Sequence, residues 1–115
     1  MERDLDRIED ILGASRDVTE FCQGLSRDQF ECQKVIRFAI LHSLTIIGEA
    51  ASRLSEEIRT LHPEVPWRRI IAFRHRLVHG YGELDLDLVW EVALTLVPVL
   101  RDQVERIHRE VREEQ

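Results

Sequence analysis

The stretch from residue 27 to residue 54 constrains the fold most. Its apolar side chains recur at the spacing of a helix and spread over more than half of the circumference. They are Phe30, Val35, Ile36, Ala39, Ile40, Leu44, Ile47, Ala51 and Leu54. A helix this apolar must be packed on two sides, so the stretch predicts the central helix of a bundle. The small residues Gly48, Ala50 and Ala51 would let another helix approach closely there.

Capping residues place the start of this helix and the end of the one before it. Ser26 and Gln29 form a capping-box pattern at the start of the central stretch. Apolar residues at helical spacing predict a first helix over residues 4–23, and Gly24 is placed to end it.

Three more helices are predicted after the central one. A short helix begins at Ser55, and a fourth spans residues 66–79, with Gly80 and Gly82 behind it. The last runs from a cap at Asp85 or Asp87 to about residue 112, and Pro98 should bend it. Residues 1–115 are therefore predicted to form a single all-α domain, an antiparallel bundle of four to five helices.

Charge and composition exclude several classes of function. The formal net charge of −6 argues against broad, non-specific binding of nucleic acid. A small basic site remains compatible with it, because salt confines surface fields to about 8–10 Å. The charged N-terminus and the lack of an apolar run near the length of a membrane span predict a cytoplasmic protein. Cys22 and Cys32 lack metal-site spacing, so we expect buried free thiols.

Residues 66–81 reverse the sign of the chain locally. They contain four arginines and two histidines and no acidic residue. On one helix, positions five apart lie about 140° apart around the axis. Arg74 and His79 would therefore not point the same way on a regular helix. Either the helix loosens at Gly80 so that His79 swings round, or a second copy of the chain brings its own motif to the site.

The chemistry open to this segment is limited. It holds no acid pair, no nucleophile–base pair and no set of metal ligands. RNA, however, carries its own nucleophile in the ribose 2′-OH. A neutral imidazole can take that proton and a guanidinium can hold the phosphate. Such a reaction would need no metal or cofactor, and it would refuse DNA. The alternative is a helix with a solvated arginine face.

The sequence resembles that of the HepT toxins in four segments that occur in the same order. They are Ile47–Ala51, Pro66-Trp67, Arg74-x4-His79-x-Tyr81 and Leu86–Glu91. The HepT toxins form the DUF86 branch of the HEPN superfamily, and the likeness runs through essentially the whole chain. It implies a HEPN-like helical bundle, a homodimer with the motifs at its cleft, and endoribonuclease activity. It also implies a minimal nucleotidyltransferase as the antitoxin, which would neutralise the toxin by transferring AMP to the motif tyrosine.

The resemblance assigns roles to individual residues. Arg74 and His79 would be catalytic, and Tyr81 would be the tyrosine that receives AMP. Glu49 could orient Arg74, although an exposed glutamate fits the sequence nearly as well. His75 departs from the family, which more often has a small polar residue there, and it could add a second imidazole or change nothing.

The remaining polar and aromatic residues have less specific expectations. Three arginines could follow an RNA backbone or could simply be solvated: Arg68, Arg69 and Arg76. We expect His42 to be a core histidine, His62 and His108 to lie at the surface, and Trp67 and Trp90 to be in the core. The alternative to a nuclease is a non-catalytic helical dimer, an accessory module that binds a nucleotide or a nucleotidyltransferase.

Overall fold

The computed structural model describes residues 2–79 and 84–114, and of Glu2, Val78 and His79 only the backbone. Every regular element in these residues is helical, which confirms the predicted all-α fold. In chain order the elements are α1 (Glu2–Cys22), α2 (Arg27–Cys32), α3 (Lys34–Ser52), α4 (Glu56–Leu61), α5 (Trp67–His79), α6 (Leu86–Glu91), a π-helical turn (Val92–Leu96) and α7 (Val97–Glu113).

Helix α3 is the centre of the bundle. Helix α1 packs against one side of α3 and also against α7, and α5 packs against another side of α3. Ile40, Leu44 and Ile47 of α3 are buried in the core that these helices share. The prediction that the central apolar helix is covered from two sides is therefore confirmed.

The predicted single helix over residues 27–54 is wrong, because the chain breaks at Gln33. The backbone there is extended, with φ −88° and ψ 93°, and this separates α2 from α3. The capping box of Ser26 and Gln29 is present as predicted and starts α2. The break adds one element to the four to five helices expected.

Tertiary packing explains the break at Gln33. Phe30 of α2 is fully buried, and its ring centroid lies 5.0 Å from that of Trp90. Arg27 of the same helix pairs with Asp87 at 2.5 Å, which ties α2 to the start of α6. Both contacts hold α2 toward α6, and one extended residue lets the chain turn from there into α3.

The apolar composition of α3 exceeds what the core uses. By length and composition alone this helix could cross a membrane, although its core face is packed against α1 and α5. Val35 and Phe38 are 86% and 53% exposed. His42, expected in the core, is exposed instead, because it lies on the same side of the helix as these two residues. We call the side formed by Val35, Phe38, His42, Ile46 and Glu49 the α3 stripe.

The predicted irregularity at Pro98 takes the form of a π-helical turn. Residues Val92–Leu96 widen to this form directly before the proline, and the Val97 N–H donates to the Val92 carbonyl. Proline lacks an N–H, and its ring clashes with the carbonyl four residues earlier in a regular helix. One widened turn relieves both problems and lets the apolar stripe of α7 stay on the core.

Polar contacts fix the start of α5. The Trp67 indole N–H donates to the carbonyl of His62 at 3.0 Å, and Trp67 is buried as predicted. The imidazole of His62 lies 3.4 Å from Glu64 and 3.5 Å from Glu110 of α7. His62 and His108 were expected at the surface, yet both side chains are largely buried, because each is drawn against a carboxylate of another segment.

Candidate active site

A close contact between α3 and α5 positions Arg74. Gly48 of α3 is buried directly beneath it. A Cβ atom added at Gly48 would lie 2.1 Å from the Arg74 Cβ and 3.3 Å from its Cα, far inside van der Waals contact. Only glycine lets the two helices come this close. The predicted close approach at the small residues of α3 is therefore present, and it brings the stem of Arg74 onto α3.

The next residue of α3 then binds the guanidinium. Arg74 Nη2 donates to Glu49 Oε2 at 2.7 Å, and the Arg74 side chain is 24% exposed. The other carboxylate oxygen of Glu49 pairs with Arg53 Nη2 at 2.8 Å. Glu49 is thus held by one cation at the C-terminal end of its own helix and one from α5.

These two arginines keep Glu49 ionised. The hydrogen bond and the charge of Arg74 lower the pKa of the Glu49 carboxyl below its ordinary value, and Arg53 adds to the effect. Near neutral pH the Glu49 carboxylate is therefore charged and forms an ion pair with Arg74. The sequence reasoning missed Arg53, although a glutamate four residues before an arginine on one helix is a recognisable pairing signal.

Arg74 has more N–H donors than this ion pair uses. Its Nε is buried, where no described residue accepts a hydrogen bond from it, so a phosphate would have to bind the Nη nitrogens of the partly exposed guanidinium. A guanidinium carries five N–H donors in a fixed fork, and the recorded bond to Glu49 uses one of the two Nη nitrogens. An anchored guanidinium with donors to spare suits the binding of a phosphate group.

The motif histidine lies on a different side of α5. The helical backbone continues through His79, so positions 74 and 79 lie about 140° apart around the axis. The side chain of His79, together with Gly80, Tyr81 and Gly82, falls outside the described residues. The backbone therefore gives Arg74 and His79 different directions within one copy of the chain.

The outward side of α5 is basic. Four side chains of this helix are exposed there: Arg68, Arg69, His75 and Arg76. By helical geometry, position 79 lies on the same side as positions 68, 72, 75 and 76. The structure therefore gathers the predicted RNA-contacting arginines on one surface and sets Arg74 apart on the α3 side.

Metal ligands do not converge in the described part of the chain. Within residues 2–79 and 84–114, no three His, Cys, Asp or Glu side chains are grouped so as to hold an ion.

The comparison with known protein families identifies the family of the chain. The family model described as "Ribonuclease HepT-like" matches residues 11–107. The chain belongs to the HepT-like ribonuclease family. The matched residues include α3 and α5, and thus Gly48, Glu49, Arg74 and His79.

Similar proteins agree with this assignment. A protein of Thermococcus cleftensis named as a probable ribonuclease HepT is 33% identical over 104 residues, which cover 90% of this chain and 94% of that protein. The predicted RNase MJ1380 of Methanocaldococcus jannaschii is 35% identical over 96 residues, covering 84% and 88% of the two chains. The predicted RNase TTE0752 of Caldanaerobacter subterraneus is 36% identical over 100 residues, covering 87% and 89%.

No solved structure shows a significant match to the chain. The family membership and the relatives confirm the predicted HepT-like ribonuclease of the HEPN type, and with it the predicted enzyme class. The roles of individual residues in this HepT-like ribonuclease stay predictions.

The contact of Gly48 with Arg74 predicts opposite effects for one substitution at two sites. Gly48→Ala should destabilise the protein by about 1–3 kcal/mol, because the new methyl group overlaps Arg74 and pushes α3 and α5 apart. Gly13→Ala on α1 is the matched control, since an added Cβ there meets nothing within 4 Å. It should stabilise by about 0.5–1 kcal/mol. Urea unfolding followed by circular dichroism measures both, and effects of the same sign would contradict the contact.

Proposed function

We propose that this HepT-like ribonuclease is the toxin of a toxin–antitoxin pair and cleaves RNA without a metal ion. The observation that carries the proposal is the ion pair between Glu49 and Arg74, the first residue of the Arg-x4-His-x-Tyr segment, which the close approach at Gly48 allows. An arginine that is only solvated needs no glycine packed against its stem, as Gly48 is here. It also needs no carboxylate partner that a second arginine pairs with, as Arg53 pairs with Glu49.

The reaction uses the nucleophile of the substrate. His79 accepts the proton of the ribose 2′-OH while that oxygen attacks the neighbouring phosphorus, and the bond from phosphorus to the 5′-oxygen breaks. Arg74 holds a non-bridging phosphate oxygen and stabilises the charge that develops on it. The leaving 5′-oxygen takes up a proton, so the products are a 2′,3′-cyclic phosphate and a 5′-hydroxyl.

Glu49 serves as a positioning residue in this scheme. It fixes one edge of the Arg74 guanidinium and leaves the remaining donors for phosphate. The exposed arginines Arg68, Arg69 and Arg76 lie on the outward side of α5 and would track the RNA backbone. The acidic remainder of the chain, with its net charge of −6, would confine RNA to this basic surface.

Cleavage assays test the mechanism. We expect RNA cleavage that persists in EDTA and leaves 2′,3′-cyclic phosphate ends. Arg74→Ala and His79→Ala should each lower kcat/KM by about 10²–10³-fold or more, since each removes one interaction made in the transition state. Arg109→Ala, an exposed arginine on α7, is the matched control and should cleave like the wild type.

Three outcomes would overturn the mechanism. They are loss of activity with chelator, full activity of His79→Ala, and linear phosphate ends. A wild-type chain that binds nucleotide but cuts no RNA would favour the alternative, a non-catalytic accessory module.

A second copy of the chain would complete the site. The α3 stripe leaves Val35 and Phe38 exposed, and it ends at Glu49, the partner of Arg74. Exposed apolar side chains that adjoin one another on one side of a helix are the kind of surface that marks an interaction site. Two stripes packed against each other by a twofold axis would cover it in an isologous dimer. The stripe of each copy would then lie beside Arg74 of the other copy. The motif of one copy would in this way complete the site of the other, although positions 74 and 79 point in different directions on one helix.

The dimer proposal predicts which apolar residue matters. Phe38→Glu should convert the protein to a monomer, because it places a charge in the middle of the proposed interface. Val99→Glu is the matched control, since Val99 on α7 is 57% exposed but lies off the α3 stripe. Light scattering after size exclusion at micromolar concentration separates the two. A monomeric wild type, or dissociation by Val99→Glu alone, would contradict this interface.

Control by a nucleotidyltransferase would act through Tyr81. The enzyme would transfer AMP from ATP to the phenol oxygen and release pyrophosphate. The added phosphate would place a negative charge two residues beyond His79 in the sequence, where it would compete with RNA for the arginines of α5. One modification would thus block substrate both sterically and electrostatically.

Co-expression with the cognate nucleotidyltransferase tests this control. The chain should become heavier by one or more AMP units on Tyr81, and its ribonuclease activity should be lost. Tyr81→Phe should abolish the added mass, which intact-mass spectrometry reads directly. An inhibited complex in which Tyr81 is unmodified would show neutralisation by binding alone.

A further inference from the structure

An apolar groove runs along the flank of α5 that faces away from Glu49. It is a cavity of about 210 Å³ between α3, α5 and the C-terminal helices. Its walls include Leu44 of α3, Phe73 of α5, and Leu88 and Leu96 of the C-terminal segment. No carboxylate lines it among the described residues. The chain has 22 acidic residues, so a groove without a carboxylate differs from the rest of its surface.

Two arginines form the lip of this groove. Arg69 and Arg76 line it from α5, seven residues and thus about two helical turns apart. Both are exposed, whereas the groove walls are apolar. A ligand that matches both features has a flat apolar body and carries negative charge at its edge. An apolar peptide would match the walls alone and leave the two cations unmatched.

The size of the groove suits a planar heteroaromatic ring. An apolar protein cavity of about 150 Å³ takes up benzene, so a cavity of 210 Å³ has room for a larger ring. The aromatic ring of Phe73 in the wall offers a surface on which a base can stack, an interaction worth about 1–3 kcal/mol per base. A nucleotide joins such a ring to a phosphate.

The groove lies next to the motif histidine. Arg76 precedes His79 by three residues on the same helix, and positions three apart are neighbours at about 5–6 Å between Cβ atoms. A phosphate held by Arg76 would therefore lie one turn from position 79. The α3 stripe occupies the other side of α3 from Leu44, so a second copy on the stripe would leave the groove open.

We infer that this groove is a nucleobase subsite, which binds the base of the nucleotide beside the scissile bond and so sets where RNA is cut. The inference rests on the proposed ribonuclease function and deepens it. Arg69 and Arg76 hold phosphates and carry no sequence information, whereas the apolar walls read the size and shape of the base. Exclusion of a poorly fitting base then appears as a sequence preference in cleavage.

A bulky side chain at the mouth of the groove distinguishes base recognition by the walls from phosphate binding by the arginines. Ala72 is exposed and lines the groove, so Ala72→Trp narrows it without touching the core. On short RNAs that differ in one base beside the cut, the wild type should prefer some bases by about 10-fold or more. Ala72→Trp should lower kcat/KM on the preferred substrate and flatten the preference. With an abasic nucleotide at that position, the two proteins should cleave at similar rates.

Two further variants test whether the effect of Ala72→Trp is specific to base binding. Arg76→Gln should lower kcat/KM on every substrate to a similar extent and leave the base preference intact, since a phosphate contact is blind to sequence. Asp17→Trp, on the exposed side of α1, is the bulk control and should leave both the rate and the preference unchanged. Circular dichroism and light scattering establish that each variant folds and keeps the wild-type oligomeric state.

A readout without cleavage separates this inference from the proposed function. A dinucleotide with a 2′-O-methyl group cannot react, and it should shift the methyl NMR signals of Leu88 and Leu96 in the wild type but not in Ala72→Trp. If RNA is cut with no base preference and these signals do not move, the groove is not a base subsite, while the nuclease stands. If no RNA is cut, the proposed function fails, and unmoved signals then overturn the groove as well.

One other outcome would also overturn the inference. If Ala72→Trp changes the oligomeric state and leaves the base preference of cleavage intact, the groove is a protein-binding surface. A base preference that disappears in Ala72→Trp and persists in Arg76→Gln would establish the subsite.

Discussion

The contact between Gly48 and Arg74 is the constraint on which the site depends. Because glycine has no side chain, α5 can lie so close to α3 that the stem of Arg74 covers Gly48. Glu49, the next residue, then meets the guanidinium at 2.7 Å. The close packing of α3 and α5 at this point therefore both closes the bundle and orients the Arg74 guanidinium. A larger residue at position 48 would separate the helices and the ion pair together.

Helix α5 divides its chemistry between two sides. Arg74 points to α3, while Arg68, Arg69 and Arg76 are exposed on the outward side. The inner arginine is held in one direction by its hydrogen bond to the Glu49 carboxylate, so little conformational entropy is left to lose when a phosphate binds. No described residue forms an ion pair with the outer arginines, which suit contacts that tolerate any sequence. One short helix thereby supplies both a fixed and an adaptable set of cations.

The helices and their caps could be predicted from the sequence because they depend on local interactions. The helical periodicity, the capping box at Ser26 and the glycine at Gly24 with its positive φ of 69° all act within a few residues. The break at Gln33 could not be predicted, because the burial of Phe30 against Trp90 causes it from across the chain. The position of His42 was mistaken for the same reason, since periodicity does not say which side of a helix with excess apolar surface meets solvent.

The excess apolar surface of α3 follows from the number of faces this helix must serve. One side builds the core through Ile40, Leu44 and Ile47, and Leu44 and Ile47 also wall the groove beside α5. The opposite side carries the exposed Val35 and Phe38, in line with Glu49. Among the described residues, α1 and α5 pack on α3 and leave Val35 and Phe38 exposed. Because the uncovered side and the groove lie on opposite sides of α3, a second copy bound to the stripe and an RNA base bound in the groove would not compete for the same surface.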